Sequence, residues 1–462
     1  MEFLGDQGRD VVIIKDFLKN GNLFFIGPQT SIGNMYLGPY FYYLITPSLF
    51  LSNYSPVGPA VFIALLNIAT TGLIFFVSKK WFNQKTAYIA AFLFSISPVV
   101  IKYSNFIWNP NIMPFFSLLF IYFFFESFRS KKYKYLIFAS LSFVMVINSH
   151  YLGLALLPFL GIFWFFKLYK FIKLKSNQLK PFLINTGLAI LVFLISLTPQ
   201  VLFDIKHNGQ NIKSLITFFT YRETTVNIKP YKAIPELPNL FNQVNTRLLA
   251  GKNETVGVII TVIFTLALLI TVLKTKDKKT SLWIPLFWYL SGLVCLALYK
   301  QHIYDHYFAF LFPVVFILAG FLISKFKYLG TIVLILITIF SILENPLRWQ
   351  PNHQLKTNTQ IADLIINNSN NNDFNFCLLA KQNYDPPYKY LLGNKNAKLV
   401  DLKDKITDQL FVVCEPFQME CNPINNPEWG IAAFGWAKID NQWEINGIKV
   451  FKLIHNPEGK KN

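Results

Sequence analysis

The chain has 462 residues, of which 53% are hydrophobic and 17% aromatic, while only 15% are charged. Its mean hydropathy of +0.38 excludes an ordinary soluble enzyme of this length. The formal net charge of +19 would suit nucleic-acid binding, but the basic residues stand at the ends of apolar segments and not along one polar face. The composition predicts an α-helical protein that crosses a membrane many times.

The first charged cluster is at residues 5–10, Gly-Asp-Gln-Gly-Arg-Asp, and precedes every long apolar segment. Its carboxylates, Asp6 and Asp10, therefore lie beside the membrane, where such groups stay hydrated, bind a cation or act as a base. The glycines around Asp6 predict a loop, because two acids four residues apart on one helix would repel each other. Residues 11–21 predict a short helix lying on the membrane surface and ending at Gly21. Asp10 would then either cap that helix or take part in catalysis.

Residues 31–44 form a second interfacial segment, rich in aromatic residues and glycine. We expect a second surface helix here, covering a sugar or lipid-linked substrate, with Tyr36 as a candidate binding residue. The alternative for its tyrosines is an ordinary aromatic belt at the membrane surface, and the composition favours that alternative.

Apolar segments follow at intervals along most of the chain, and about ten of them are predicted to span the membrane. They are residues 56–77, 86–103, 112–128, 134–149, 151–167, 182–203, 255–273, 281–299, 307–324 and 328–344. If the spans alternate, the basic groups at 79–85, 129–134, 167–180, 274–279 and 325–327 all lie on one side, which the positive-inside rule assigns to the cytoplasm. Residues 1–55 then face outward with no span before them, which predicts a further helix upstream in the natural protein.

Polar residues gather in the loops on the outward side. In the loop 102–111, Lys102, Trp108, Asn109 and Asn111 are candidate binding residues, because they offer a positive charge, an aromatic face and side-chain amides. The alternative is that Asn-Pro only starts the next helix. His150 lies at a turn between two spans, as a site residue or a structural one.

The loop before the last two spans contains His302, Asp305, His306 and Tyr307. The histidines and Tyr307 are candidate substrate-binding residues. The spacing of His302, Asp305 and His306 would also allow a metal site on one helical face, but short loops of this kind are usually only solvated.

Residues 345–462 are polar and predict a small α/β domain outside the membrane, with strands around residues 411–413 and 448–451. Three of the four cysteines lie in it. An oxidising compartment would permit a disulfide between Cys414 and Cys421, although the spacing does not require one, and no zinc pattern is present.

The ordering of these features resembles the GT-C membrane glycosyltransferases, and in particular glycosyltransferase family 39, which includes protein O-mannosyltransferases and lipid A aminoarabinose transferases. The resemblance covers residues 5–325 and is strongest to bacterial members carrying Gly-Asp-Gln-Gly-Arg-Asp. The family's Asp-Glu pair falls on Asp6 and Gln7. Its Lys-Pro-Pro-Leu stretch is matched loosely by residues 37–40, and its Arg-Tyr-Leu-Pro region falls on His306 and Tyr307.

The resemblance implies a polyprenyl-phosphate sugar donor in the membrane, an acceptor from outside and inversion at the sugar carbon. Asp6 falls on the family's general base, with Arg9, Lys102 and His150 as the nearest cations for the phosphate. The sequence implies no definite cofactor and leaves a divalent cation as an option; nucleic acid is not expected as a partner.

Two other classes of membrane protein would have sequences of similar composition. A transporter or flippase would carry polar residues at mid-bilayer with repeats or broken helices, whereas the polar residues here lie at the outer boundary. A lipid-linked glycan polymerase or ligase would centre on arginines in a long outward loop, and the loop 204–254 holds only Arg222 and Arg247.

Overall fold

A computed structural model describes residues 1–31, 34–220, 229–274, 280–415, 421–456 and 458. The chain forms two compact units. The terminal unit consists of Met1–Asn22, Ser48–Gly58 and Pro351–Asn462, and the membrane unit consists of Leu23–Pro47 and Pro59–Gln350. Arg222 and the basic residues within 275–279 lie outside the described residues.

The membrane unit is helical. Its α-helices, some of which extend into the terminal unit, are α2 (Tyr40–Leu51), α3 (Val57–Trp81), α4 (Gln84–Ile96), α5 (Pro98–Tyr103), α6 (Met113–Arg129), α7 (Tyr135–Ser149), α8 (Leu157–Lys173), α9 (Leu179–Ser196), α10 (Thr198–Lys206), α11 (Gln210–Thr220), α12 (Leu237–Leu249), α13 (Glu254–Lys274), α14 (Thr280–Ala297), α15 (Phe312–Lys325) and α16 (Lys327–Leu343). Short 3-10 helices are Asn109–Ile112, Tyr151–Leu156, Pro230–Glu236, Asp305–Leu311 and Pro346–Arg348.

Seven segments among the described residues are long and apolar enough to cross a membrane, and three shorter apolar helices accompany them. The prediction of a multi-pass helical protein is therefore confirmed, while the number ten stays a prediction. The span expected at 86–103 is broken into α4 and α5, because Pro98 has no amide hydrogen to continue the helix. Ser97 at the break is extended, and its hydroxyl donates a hydrogen bond to the Leu248 carbonyl at 3.0 Å.

Helix α15 lies at the centre of the membrane unit. Four-fifths of its span is buried, against about a tenth for α9. Gly320 allows close packing on α4, since a Cβ there would lie 2.8 Å from the Cβ of Ala90. Small residues at such crossings let helix backbones approach in a membrane, where packing replaces the hydrophobic effect. Exposed apolar side chains on α8 and α9 are suited to contact with lipid.

The terminal unit contains α1 (Gly5–Asn20) and the C-terminal domain. That domain consists of α17 (Gln354–Asn368), β1 (Asn375–Leu379), α18 (Pro386–Asn394), β2 (Gln409–Cys414), α19 (Trp429–Phe434), β3 (Ala437–Ile445) and β4 (Ile448–His455). The sheet order is β1-β2-β4-β3, with β1 and β2 parallel and the other pairs antiparallel. The predicted strands fall within β2 and β4, so the prediction of a small sheet domain is confirmed. Cys414 and Cys421 form a disulfide.

The expected surface helices differ from the structure. The apolar side of α1 does not lie free for the membrane, because Val11 and Ile14 are fully buried in the protein and Gly8 packs against Pro387 at the start of α18. In the second segment the helix begins only at Tyr40, and Tyr36 instead pairs with Gln29 in an antiparallel bridge. Ile32 and Gly33 of that segment lie outside the described residues.

Candidate active site

Helix α1 carries both N-terminal carboxylates on one face. The prediction that Asp6 lies in a loop is wrong, and so is the prediction that Asp10 stands at the helix start, because the helix begins at Gly5. The repulsion expected between the acids is offset by Arg9, whose Nη1 lies 2.9 Å from Asp6 Oδ1 and whose Nη2 lies 2.8 Å from Asp10 Oδ1. The Asp6 side chain is 46% exposed, whereas that of Asp10 is fully buried.

The start of α1 is fixed by two amide side chains. The Leu4 amide donates to Gln7 Oε1 at 2.9 Å, and the Gly5 amide donates to Asn383 Oδ1 at 2.8 Å. These bonds satisfy backbone donors that a helix start leaves without partners. Gln7, which stands where the resemblance would place a second acid, therefore supports the helix beside Asp6.

The glycines around Asp6 serve close packing and not loop formation. A Cβ on Gly5 would lie 2.6 Å from Tyr384 Cδ2, and a Cβ on Gly8 would lie 2.3 Å from the Pro387 nitrogen. Glycines three residues apart share one face of a helix, so this spacing was the available signal for a close helix contact.

Glu415 holds Asn383 in place. Asn383 Nδ2 donates to Glu415 Oε1 at 2.6 Å, and the Tyr388 hydroxyl donates to the same oxygen at 3.0 Å. Burial, together with the nearby Glu415 carboxylate, raises the pKa of Tyr388, so its hydroxyl remains a donor. Sequence reasoning missed Asn383, Tyr388 and Glu415, because they lie more than 370 residues from Asp6.

A second charged group, here called the cation cluster, lies in the membrane unit and consists of Lys102, Arg247, Lys252 and the carboxylate Asp305. Arg247 Nε lies 3.4 Å from Asp305 Oδ1, and Lys252 Nζ lies 3.7 Å from Asp305 Oδ2. Lys102 is exposed and close enough to Lys252 to act on it electrostatically. Burial lowers the pKa of Lys252; Asp305 opposes that shift, while Lys102 and Arg247 add to it. Two cations thus pair with one acid, and a third cation lies near Lys252.

Backbone geometry places Lys252 in this cluster. Gly251 and Lys252 both have positive φ, 57° and 69°, and the Lys252 amide donates to the Thr246 carbonyl at 3.1 Å. A Cβ on Gly251 would lie 2.5 Å from the Phe340 carbonyl oxygen, so only glycine fits there. Left-handed backbone at a residue with a long side chain is costly and is often retained at functional positions.

Aromatic and histidine rings form a third group in the membrane unit. The rings of Trp108 and His306 are 4.4 Å apart, His306 and Tyr307 are 4.6 Å apart, and His150 lies 5.1 Å from Tyr307. The structure thus brings together four residues that the sequence selected from three separate loops. Tyr103 stacks on Trp108 at 6.0 Å and extends the group.

Asn109, Asn111 and His150 are occupied by bonds within the protein. Asn109 Nδ2 donates to the Ser149 carbonyl at 2.6 Å, and Asn111 Nδ2 donates to the Phe106 carbonyl at 3.0 Å. His150 Nδ1 accepts the Leu152 amide at 3.1 Å, which requires a neutral ring, and burial lowers the pKa of His150 to about 4. These contacts favour the structural alternative for all three residues.

Tyr36 and His302 contribute less to this group. The backbone of Tyr36 bonds to Asn211 Oδ1 at 2.8 Å and to the Tyr151 hydroxyl at 2.7 Å, while its ring lies 5.8 Å from Phe203. His302 is exposed and its ring lies 4.6 Å from Tyr304. Residues 302–304 are not helical, so the helical face that a metal site at His302, Asp305 and His306 would need does not form.

The fold is similar to that of membrane enzymes whose structures have been solved. The structure of ArnT from Cupriavidus metallidurans bound to undecaprenyl phosphate superposes with a TM-score of 0.63 at 11% identity, covering 99% of this chain and 96% of that chain. The apo structure of the same enzyme gives a TM-score of 0.61 at 11% identity, with 99% and 95% covered. The match includes the C-terminal domain, which the sequence resemblance left out.

A model of the dolichyl-phosphate-mannose-protein mannosyltransferase family matches residues 37–199, which is less than half of the chain. A comparison with curated proteins finds no significant match. The chain therefore has the GT-C fold of membrane glycosyltransferases and contains a segment similar to the dolichyl-phosphate-mannose-protein mannosyltransferases.

Proposed function

We propose that this protein is a membrane glycosyltransferase that moves a hexosyl or pentosyl group from a polyprenyl-phosphate donor to a hydroxyl of an extracytoplasmic acceptor: a cell-envelope glycan, a lipid or a protein. The observation that carries the proposal is an exposed carboxylate on a rigidly held helix, in a chain that also contains a cation cluster. The exposed carboxylate could accept a proton as a general base, and the cation cluster could bind the donor phosphate.

The chemical step is a displacement at the anomeric carbon. The acceptor oxygen forms a bond to that carbon while the bond from carbon to phosphate oxygen breaks, so the configuration inverts. The acceptor proton passes to Asp6, and the electron pair leaves with the polyprenyl phosphate. Asp6 is preferred over Asp10 as base because its side chain is exposed to an acceptor, whereas Asp10 is buried against Arg9.

The leaving phosphate gains negative charge during this step. Lys102, Arg247 and Lys252 would stabilise it, since three cations against the single carboxylate of Asp305 leave a positive excess. Arg247 is suited to bind phosphate through two parallel hydrogen bonds. His306 and Tyr307 would line the donor site through their rings and not through charge.

Three further observations support this assignment. One of the solved structures with this fold has undecaprenyl phosphate bound, and the matching family is named for a dolichyl-phosphate sugar donor. The Cys414–Cys421 disulfide suits an oxidising, extracytoplasmic compartment. The distribution of basic loops supports the same orientation, and the cell membrane is the location that this proposal assigns.

Transfer from a radiolabelled polyprenyl-phosphate sugar to a membrane acceptor fraction tests the proposal. We expect Asp6→Asn to lower transfer by about 100-fold or more, which is typical of losing a general base. Asp16→Asn is the matched control, because Asp16 is an exposed acid further along the same helix, bonded to Asn20 and Asn22.

Full transfer by Asp6→Asn would overturn the base assignment. A purified protein that moves the lipid donor across a bilayer without transferring sugar would instead identify a flippase, and a product of repeated lipid-linked units would identify a polymerase or ligase.

A further inference from the structure

The loop that holds the start of α1 also carries an exposed aromatic ring. Asn383 Oδ1 accepts hydrogen bonds from two backbone amides, that of Gly5 at 2.8 Å and that of Tyr384 at 2.9 Å. The Tyr384 ring lies against Gly5, since a Cβ on Gly5 would be 2.6 Å from Tyr384 Cδ2, yet Tyr384 remains 72% exposed. One amide oxygen thus fixes this ring beside the residue that precedes Asp6.

A series of contacting polar side chains connects this ring to a second exposed ring in the same domain. The connected residues, here called the surface strip, are Tyr384, Asp385, Lys389, Asp401, Lys403 and Trp429. Lys389 Nζ lies 2.7 Å from Asp385 Oδ2 and 3.6 Å from Asp401 Oδ2. The Lys403 amide donates to Asp401 Oδ1 at 2.9 Å, and the Lys403 ammonium lies 6.0 Å from the centre of the Trp429 ring. Trp429 is 53% exposed, so the strip has an accessible ring at each end.

The surface strip is chemically suited to a chain of sugars. The C–H groups of a sugar ring are attracted to the negative face of an aromatic ring, and sugar hydroxyls both donate and accept hydrogen bonds. Tyr384 and Trp429 supply aromatic faces, while the two carboxylates and two ammonium groups between them supply acceptors and donors. Those four charges balance, which favours an uncharged ligand. They also interrupt the apolar surface that a lipid chain would need.

From this arrangement we propose that the C-terminal domain binds an extended, uncharged glycan along the surface strip, and that this glycan is the acceptor. The inference rests on the proposed function, since it assumes that Asp6 activates the acceptor hydroxyl. Consecutive Cα atoms are about 3.8 Å apart, so a sugar stacked on Tyr384 lies next to the residue that bears the base. The following sugars extend towards Trp429. Tyr384 then positions the reacting sugar, and Trp429 adds affinity for a longer chain.

The first test measures glycan binding without turnover, on the full-length protein in nanodiscs. The probe is an array that carries neutral oligosaccharides, uronic-acid oligosaccharides and peptides rich in serine and threonine. We expect binding to neutral oligosaccharides, and Trp429→Ala should weaken it about tenfold, as loss of one ring contact implies. Trp436→Ala is the matched control, because Trp436 is equally exposed in the same domain but lies outside the surface strip. It should bind like the wild type.

The second test measures transfer to the oligosaccharide that binds best on the array. Tyr384→Ala should raise the acceptor KM about tenfold and leave the donor KM unchanged, whereas Tyr384→Phe keeps the aromatic face and should stay close to the wild type. Tyr384→Ala could also loosen the packing against Gly5. Trp429→Ala leaves that contact intact, so its effect on glycan binding tests the strip independently.

Three results would overturn the inference: a preference for peptides or uronic-acid oligosaccharides, binding to no neutral oligosaccharide, or equal losses in Trp429→Ala and Trp436→Ala. Failure of the proposed function gives a different result. If binding on the array depends on Trp429 while Asp6→Asn transfers sugar fully, the glycan site stands and the base assignment is wrong.

Discussion

Asn383 Oδ1 accepts a hydrogen bond from the backbone amide of Gly5 at 2.8 Å, although 378 residues separate them in the chain. Gly5 immediately precedes Asp6, so the C-terminal domain fixes the position of the proposed base. The sequence gives no local sign of this connection, because neither residue type marks a site on its own.

Asn383→Ala should lower kcat by about tenfold or more with little change in the donor KM, because the start of α1 would lose an acceptor and Asp6 would be less well placed. The free energy of unfolding should fall by about 1–2 kcal/mol, as expected for a buried hydrogen bond. Steady-state kinetics and thermal unfolding measure the two effects. Glu415→Gln keeps an acceptor for Asn383 and Tyr388, so it should retain more activity than Glu415→Ala; equal loss in both would argue against positioning through Asn383.

Arg9→Met should destabilise the protein by roughly 3 kcal/mol, because it removes the guanidinium that lies against the buried Asp10 carboxylate. The double variant with Asp10→Asn should recover much of that loss, since the buried negative charge is then also gone. A double-mutant cycle from chemical denaturation measures the coupling. Additive effects would show that Arg9 acts mainly through exposed Asp6.

Gly8→Ala should lower the free energy of unfolding by about 1–3 kcal/mol, because a Cβ there would meet the backbone of Pro387 at 2.3 Å. This loss outweighs the gain in helix propensity from alanine. Gly72→Ala in α3 is the control, since no atom lies within 4 Å of a Cβ at that position. It should be neutral or slightly stabilising, and a similar fall in both variants would rule out the α1–α18 contact as the cause.

Donor binding should weaken at alkaline pH before an ordinary lysine would lose its proton. Burial lowers the pKa of Lys252 from the usual 10.5, so its positive charge disappears earlier as the pH rises. The lowered pKa also means that the positive charge on Lys252 reduces the free energy of unfolding at low pH. This destabilisation fades as the pH rises through the folded-state pKa of Lys252, because the charge is then lost. Lys252→Arg should keep donor affinity to higher pH, measured by polyprenyl-phosphate binding from pH 7 to 10. Superimposable profiles would exclude Lys252 from the phosphate site.

The sequence predicted the parts of the fold that depend on hydrophobicity. Long apolar segments identify most spans, alternation identifies β2 and β4, and Gly21 ends α1 in the left-handed conformation as expected. The hydrophobicity of residues 86–103 favours a single span, whereas Pro98 breaks it into α4 and α5.

The site was harder to predict, because its geometry depends on partners far away in the chain. The glycines beside Asp6 and the repulsion between two acids on one helix favour a loop, but Arg9 pairs with both acids and offsets that repulsion. Arg247 and Lys252 carry no local sign of a cluster, because Asp305, which pairs with both, lies in a different segment. Asn109, Asn111 and His150 were selected by residue type, but their bonds within the protein can only be seen in three dimensions.

The packing of α1 on α18 also has a consequence for biosynthesis. A ribosome makes the helix bearing Asp6 long before α18, on which it packs, because the membrane unit lies between the two helices in the chain. The membrane helices described above can therefore be inserted before that docking surface exists. Chains that stop short of α18 would therefore reach the membrane without the contacts that hold α1, so synthesis of the C-terminal domain would complete the surroundings of Asp6.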